Sequence, residues 1–180
     1  LRAREVAREA GLEVAGVHLH IGSQLLDPQA GLETIDWLKD FAAREWLPEV
    51  VDLGGGLGIP YVEGEEPPPI REFVRSLLDR LADGWPGDLP QLILEPGRSL
   101  VGPAGVTLYR VGVVKQASEA VTYVAVDGGM SDNPRPAMYN ARYTALLASR
   151  AEAEPDGAFA VAGKHCESGD VLIERVELPL

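Results

Sequence analysis

The sequence predicts an α/β fold that hands over, part-way along, to a β-rich segment. Three observations carry this prediction. Short apolar runs end near residues 21, 53 and 94, and a helical pattern separates each pair. Each run stops in a polar or glycine-rich cluster: His20-Ile21-Gly22-Ser23, Gly54-Gly55-Gly56 and Glu95-Pro96-Gly97-Arg98. Beyond Arg98 helical spacing becomes sparse, and β-branched and aromatic residues take over. Residues 1–103 therefore read as the α/β part and residues 104–180 as the β-rich part, with the change between Val101 and Gly105.

Each element follows from local pattern. Residues 1–10 place Leu1, Val6 and Ala10 among Arg and Glu, and Gly11 stops the helix. Residues 12–21 read as a strand on which Val17, Leu19 and Ile21 alternate with His18 and His20. Asp27 is expected to cap the next helix, with Pro28 at its first position. That helix runs to about Glu45 and offers Leu32, Ile35, Trp37, Leu38 and Phe41 as its apolar face. Residues 50–53 form a short buried strand, and the acidic, proline-rich residues 63–69 form an exposed loop. Residues 70–82 carry Phe73, Val74, Leu77, Leu78 and Leu81 at helical spacing, and residues 89–94 form a third strand. In the second part, residues 106–114, 121–126, 159–162 and 171–176 read as strands, with a turn at Asp127-Gly128-Gly129. Residues 141–149 suit a helix or a strand equally well.

Bulk composition narrows the function. A formal charge of -12 over 180 residues argues against a nucleic-acid partner, whose phosphates need clustered Lys and Arg. No apolar run approaches the roughly 20 residues that span a bilayer, so no membrane association is expected. Cys166 is the one cysteine and has no internal partner, which fits a reducing, cytoplasmic setting. The chain starts without Met and inside a helical pattern, so it is expected to be a piece of a longer protein.

Ligand chemistry gathers at the carboxyl ends of parallel strands, and here three such ends carry reactive or permissive residues. The glycine run suits a tight turn, and equally a cradle of backbone amides for an anion. His18 and His20 share a strand face, which raises zinc. His165-Cys166 supplies no recognised zinc spacing, and no metal is expected. Glu95 reads as a structural ion-pair member or as the partner of a cationic ring nitrogen. Arg98 offers a fork for phosphate or carboxylate, or is a surface arginine. Arg135 and Tyr139, four apart, either converge on one anion from a helical face or stand solvated. Cys166, between Gly163 and Gly169 among polar neighbours, reads as an exposed, working thiol.

Five segments, in order, resemble the fold-type III pyridoxal-phosphate-dependent decarboxylases. They are His18-Leu19-His20-Ile21-Gly22-Ser23-Gln24, Asp52-Leu53-Gly54-Gly55-Gly56-Leu57-Gly58, Glu95-Pro96-Gly97-Arg98, Asp127-Gly128-Gly129-Met130 with Arg135-Pro136-Ala137-Met138-Tyr139, and Cys166-Glu167-Ser168-Gly169-Asp170. The last is the most discriminating and is similar to the members that decarboxylate meso-2,6-diaminopimelate to L-lysine and carbon dioxide, the last step of lysine biosynthesis. The resemblance implies part of a (β/α)8 barrel followed by part of a mostly β C-terminal domain. It further implies pyridoxal 5'-phosphate as cofactor and a homodimer with shared active sites.

The same resemblance distributes roles over the residues. His20 would stack on the cofactor ring and Glu95 would pair with its nitrogen. Ser23, Gly54, Gly55, Gly56 and Gly97 would surround the phosphate. Arg98, Arg135 and Tyr139 would hold a distal carboxylate of the substrate, and Glu167 its distal amino group. Cys166, from the neighbouring subunit, would donate the proton that replaces the lost carboxylate. The lysine that carries the cofactor in this family has no counterpart in context among Lys39, Lys115 and Lys164, and is expected upstream. These 180 residues alone are therefore expected to be inactive. Two competing functions are a sibling decarboxylase acting on carboxynorspermidine or a basic amino acid, and a non-catalytic homologue that binds the cofactor. Arg135 and Tyr139 weigh against a substrate without a distal carboxylate, and Cys166 with Glu95 weighs against the non-catalytic reading.

Overall fold

The structure, a computed structural model, describes residues 2–180. The chain divides into two compact units. An α/β unit runs to Pro60 and resumes over Gly64–Gly105, and a β unit holds Tyr61–Glu63 and Val106–Leu180. No helix among the described residues is long and apolar enough to cross a membrane.

The α/β unit contains α1 (Arg2–Glu9), β1 (Gly16–His18), α2 (Gln29–Arg44), β2 (Val50–Asp52), α3 (Ile70–Ala82), β3 (Gln91–Ile93) and α4 (Arg98–Val101). The strands pair in parallel in the order β1-β2-β3, with Val17, Val51 and Leu92 in register. That registered row packs under the helices, whose Ile35, Leu38, Ala42, Phe73, Leu77 and Leu81 are buried against Val51 and Leu53. The alternate row, His18 and Asp52 with Ile93, faces the other way, because successive strand side chains point to opposite faces. Arg80 on α3 also ties the helices together: its Nε donates to Asp36 Oδ1 at 2.8 Å. The guanidinium holds the Asp36 carboxyl below the ordinary carboxylate range, and Asp36 in turn raises Arg80.

The β unit is a four-stranded mixed sheet of β4 (Val111–Gln116), β5 (Thr122–Val126), β6 (Gly157–Ala162) and β7 (Val171–Leu178), in that order. β5 and β6 run parallel, so a long crossover must join them. It contains α5 (Arg135–Tyr139) and a 3-10 turn at Ala148–Arg150. Val124, Val126, Val161, Leu172, Val176 and Leu178 form the core of this unit.

Several boundaries differ from the sequence reading, each for a physical reason. The first strand has ladder partners only at Gly16–His18, because β2 is three residues long and turns away at the glycines. Asp27 caps α2 from one position further out: Pro28 is the N-cap, and Gln29 N donates to Asp27 Oδ1 at 2.8 Å. Trp37 is 57% exposed and stacks on Phe41, with Ala42 and Gly31 taking the buried places on α2. Residues 106–110 lie outside β4, since the ladder stops where Asp127 Oδ1 accepts the Arg110 amide at 2.8 Å. Residues 141–147 form neither helix nor strand. Leu1, assigned to the first helix, lies outside the described residues.

Candidate active site

In the α/β unit the three strand ends come together through close backbone packing. Gly54 adopts φ +67, and a Cβ there would sit 2.8 Å from His20 Nδ1 and 2.9 Å from the Leu19 carbonyl oxygen. A Cβ on Gly55 would overlap the Glu95 carbonyl oxygen, and one on Gly56 (φ +114) would lie 2.6 Å from the Gly22 carbonyl oxygen. Each glycine therefore abuts a neighbouring strand end. Two of their amides are used internally: Gly54 N donates to Asp52 Oδ1 at 2.8 Å, and Gly55 N to His20 Nδ1 at 3.4 Å. The bond to Nδ1 leaves the proton of a neutral His20 on Nε2. Gly97 is different, because a Cβ there would meet nothing within 4 Å.

Around this packed centre the side chains form two pairs. His20 lies two residues beyond β1 and is exposed. Glu95 is also exposed, and its Oε2 lies 3.6 Å from His18 Nε2. Arg98, the first residue of α4, donates from Nη2 to Ser23 Oγ at 3.1 Å and from Nη1 to Gln24 Oε1 at 3.2 Å. Ser23 and Arg98 are thus brought together. Gln24, to which the sequence reading gave no role, holds the corner: its side chain also bonds both the Ile59 carbonyl, at 2.5 Å, and the Ile59 amide, at 3.4 Å. Its φ of 59 is a conformation that no sequence pattern announced. The zinc reading paired His18 with His20. The grouping found among the described residues is instead His18, Asp52 and Glu95, whose ligand atoms lie within 4.8 Å of one another. Exposed acidic groups also gather in this way without a metal.

In the β unit one buried carboxylate organises the loop that carries the thiol. Asp170 is 3% exposed. Its Oδ1 accepts the Met130 amide at 2.6 Å and its Oδ2 the His165 amide at 2.8 Å. Backbone bonds from Gly163 to Asp170 and from Lys164 to Gly128 close the same junction. Ser131 Oγ and His165 Nε2, 2.8 Å apart, link the two loops again. Cys166 and Glu167 project from this junction and are exposed. Glu167 folds back, accepting from Ser168 Oγ at 3.1 Å. Tyr109 packs under Gly128, and its hydroxyl finds no hydrogen-bond partner among the described residues. Burial first, then the charges of Asp132, Asp127 and Asp170, push that phenol above the ordinary tyrosine value.

Arg135 and Tyr139 do share α5, but Tyr139 is 69% exposed while Arg135 turns to another residue. Its Nη1 donates to Tyr143 Oη at 2.8 Å.

Residues 2–102 match the family model described as pyridoxal-dependent decarboxylase, pyridoxal binding domain. The chain belongs to this family. A diaminopimelate decarboxylase of Bacillus methanolicus is 45% identical over 176 residues, spanning 93% of this chain and 41% of that protein. One from Staphylococcus aureus is 44% identical over 182 residues, spanning 97% of this chain and 42% of that protein. The solved structure of diaminopimelate decarboxylase from M. jannaschii in complex with L-lysine matches at TM-score 0.79 and 34% identity, over 99% of this chain and 42% of that one. The chain thus spans about two fifths of the length of these pyridoxal-dependent decarboxylases. Its parallel sheet with helices is part of the (β/α)8 barrel, and its mixed sheet is part of the β-rich domain that follows.

Two outcomes follow from the packing. Gly55→Ala forces the Glu95 backbone to move and lowers stability by about 1–3 kcal/mol in denaturant unfolding, whereas Gly97→Ala leaves the midpoint unchanged. Asp170→Asn leaves one of two part-buried amides facing a carboxamide N–H₂, at a cost of about 1–3 kcal/mol. Hydrogen exchange at the Met130 and His165 amides accelerates together in that variant; unchanged exchange at both contradicts the role given to Asp170.

Proposed function

We propose that the intact protein decarboxylates meso-2,6-diaminopimelate to L-lysine and carbon dioxide with pyridoxal 5'-phosphate as cofactor. One observation carries this reading: an exposed imidazole, an exposed carboxylate and an arginine–serine pair stand at adjacent strand ends, in a chain whose relatives are diaminopimelate decarboxylases. Those residues suit the cofactor. His20 supplies a flat ring face, Glu95 supplies an acceptor for a protonated ring nitrogen, and the open side of Gly97 leaves room for a phosphate.

The bound cofactor supplies an electron sink for the pair left behind when the substrate carboxylate departs. The chain's own residues do the rest. His20 stacks against the ring and fixes its plane. Glu95 keeps a proton on the ring nitrogen, which sustains the sink. Ser23, Gly54, Gly55, Gly56 and Gly97 border the phosphate, and Arg98 brings positive charge beside Ser23. Arg135 receives the distal carboxylate, and Glu167 receives the distal ammonium. Cys166 Sγ gives its proton to the carbon that has lost carbon dioxide, and the thiolate is reprotonated from water. Cys166 and Glu167 serve the site of the neighbouring subunit, so the working form is a homodimer, in the cytoplasm.

Incubation of the intact protein with the cofactor and meso-diaminopimelate releases carbon dioxide and L-lysine, while ornithine and L-lysine are left intact. Cys166→Ala lowers kcat by roughly 10²–10⁴-fold without altering the absorbance of the bound cofactor. Turnover of ornithine in place of diaminopimelate refutes the substrate assignment, and a wild-type rate in Cys166→Ala refutes the proton donor.

A further inference from the structure

Arg135 opens α5, and α5 ends at Asn140, whose left-handed φ of 51 reverses the chain. The reversal returns Tyr143 to Arg135, eight residues back, where the 2.8 Å hydrogen bond forms. The guanidinium also lies against two aromatic rings: its Cζ is 5.6 Å from the centroid of Tyr61 and 6.0 Å from that of Tyr143. The rings meet edge to face, with centroids 4.7 Å apart and planes at 65°. All three side chains are half-buried. Tyr61 belongs to the β unit through the short segment Tyr61–Glu63, so the cluster lies within one compact unit.

We propose that Tyr143, with Tyr61 packed on it, is the positioning residue that makes Arg135 selective for a substrate with a distal carboxylate. The inference rests on the function proposed above. A free arginine side chain carries rotamer entropy, which binding an anion must remove. Here the aromatic faces hold the guanidinium through cation–π attraction, and Tyr143 Oη fixes its rotation. Nη1 is occupied, and among the described residues Nη2 and Nε donate to no other group, so these two form the available edge. That edge presents two parallel N–H donors, the geometry that grips a carboxylate through both oxygens. A substrate ending in an amine alone gains nothing from it. Tyr139, which the motif offers as the partner of Arg135, stands exposed on the far end of α5, so the clamp is built by a residue outside the motif.

Tyr143→Phe keeps the ring and removes only the acceptor. In the intact, cofactor-loaded protein it raises KM for meso-diaminopimelate about tenfold, the loss expected for a hydrogen bond to a charged group, with kcat within about twofold. In an Arg135→Lys background the same change produces no further rise, as coupled residues require. Nitrogen-15 spectra of the unliganded protein give a second readout: separate Nη1 and Nη2 signals for Arg135 in the wild type merge in Tyr143→Phe as rotation is freed. An unchanged KM, a tenfold rise that persists without Arg135, or signals that stay separate in Tyr143→Phe each overturn the clamp. A wild-type protein that turns over no diaminopimelate sinks the functional reading instead, and the guanidinium signals still judge the clamp.

Discussion

The α/β unit depends on how closely three backbone segments approach one another at the strand ends. The loop after β2 is wedged between the loops after β1 and β3, and it fits because Gly54, Gly55 and Gly56 carry no side chains. Glycine costs conformational entropy on ordering, and three in a row are tolerated only where contact requires them. The same contact determines where the chemistry stands. His20 is held by the Gly55 amide, Glu95 by its backbone against Gly55, and Ser23 with Gln24 by Arg98. The exposed imidazole, the exposed carboxylate and the guanidinium are all positioned by one region of tight main-chain packing. Side chains could be exchanged around this region more readily than its backbone could be moved.

The β unit solves an equivalent problem with charge. Two loops far apart in sequence must meet to display Cys166 and Glu167, and the part-buried amides at their junction need acceptors. Asp170 supplies both acceptor oxygens from one buried carboxylate. Gly129 and Gly163 make room for it, since a Cβ on either would press on its oxygens. The thiol is thus carried on an exposed turn whose base is tied by these bonds. A carboxylate so placed is satisfied by backbone amides, with no cation among the bonds that hold it.

The parts legible in the sequence were those with local causes. Residues 70–82 showed a regular apolar spacing, and α3 has those bounds. The family was legible because its motifs are contiguous strings of residues. Strand lengths were not, since a strand extends only as far as its partner, and β2 stops after three residues. Trp37 falls in the apolar spacing of α2 yet is exposed, because Gly31 and Ala42 complete the inward row of that helix. Gln24, Asp170 and Tyr143 were each visible as letters within or near a motif, yet their roles rest on partners 35, 40 and 8 residues away. No periodicity reports such pairings. Asn140, a residue type that tolerates the left-handed region, was the one local hint that the chain would turn back toward Arg135.

The packed strand ends are the proposed binding surface for the cofactor ring and its phosphate. A crystal structure of the intact protein with pyridoxal 5'-phosphate bound tests it directly. The ring is expected to lie on the His20 imidazole, with its nitrogen within hydrogen-bond distance of a Glu95 oxygen and the phosphate on the side of Ser23 and Gly97. A ring bound away from His20, or a ring nitrogen facing a group other than Glu95, would contradict it.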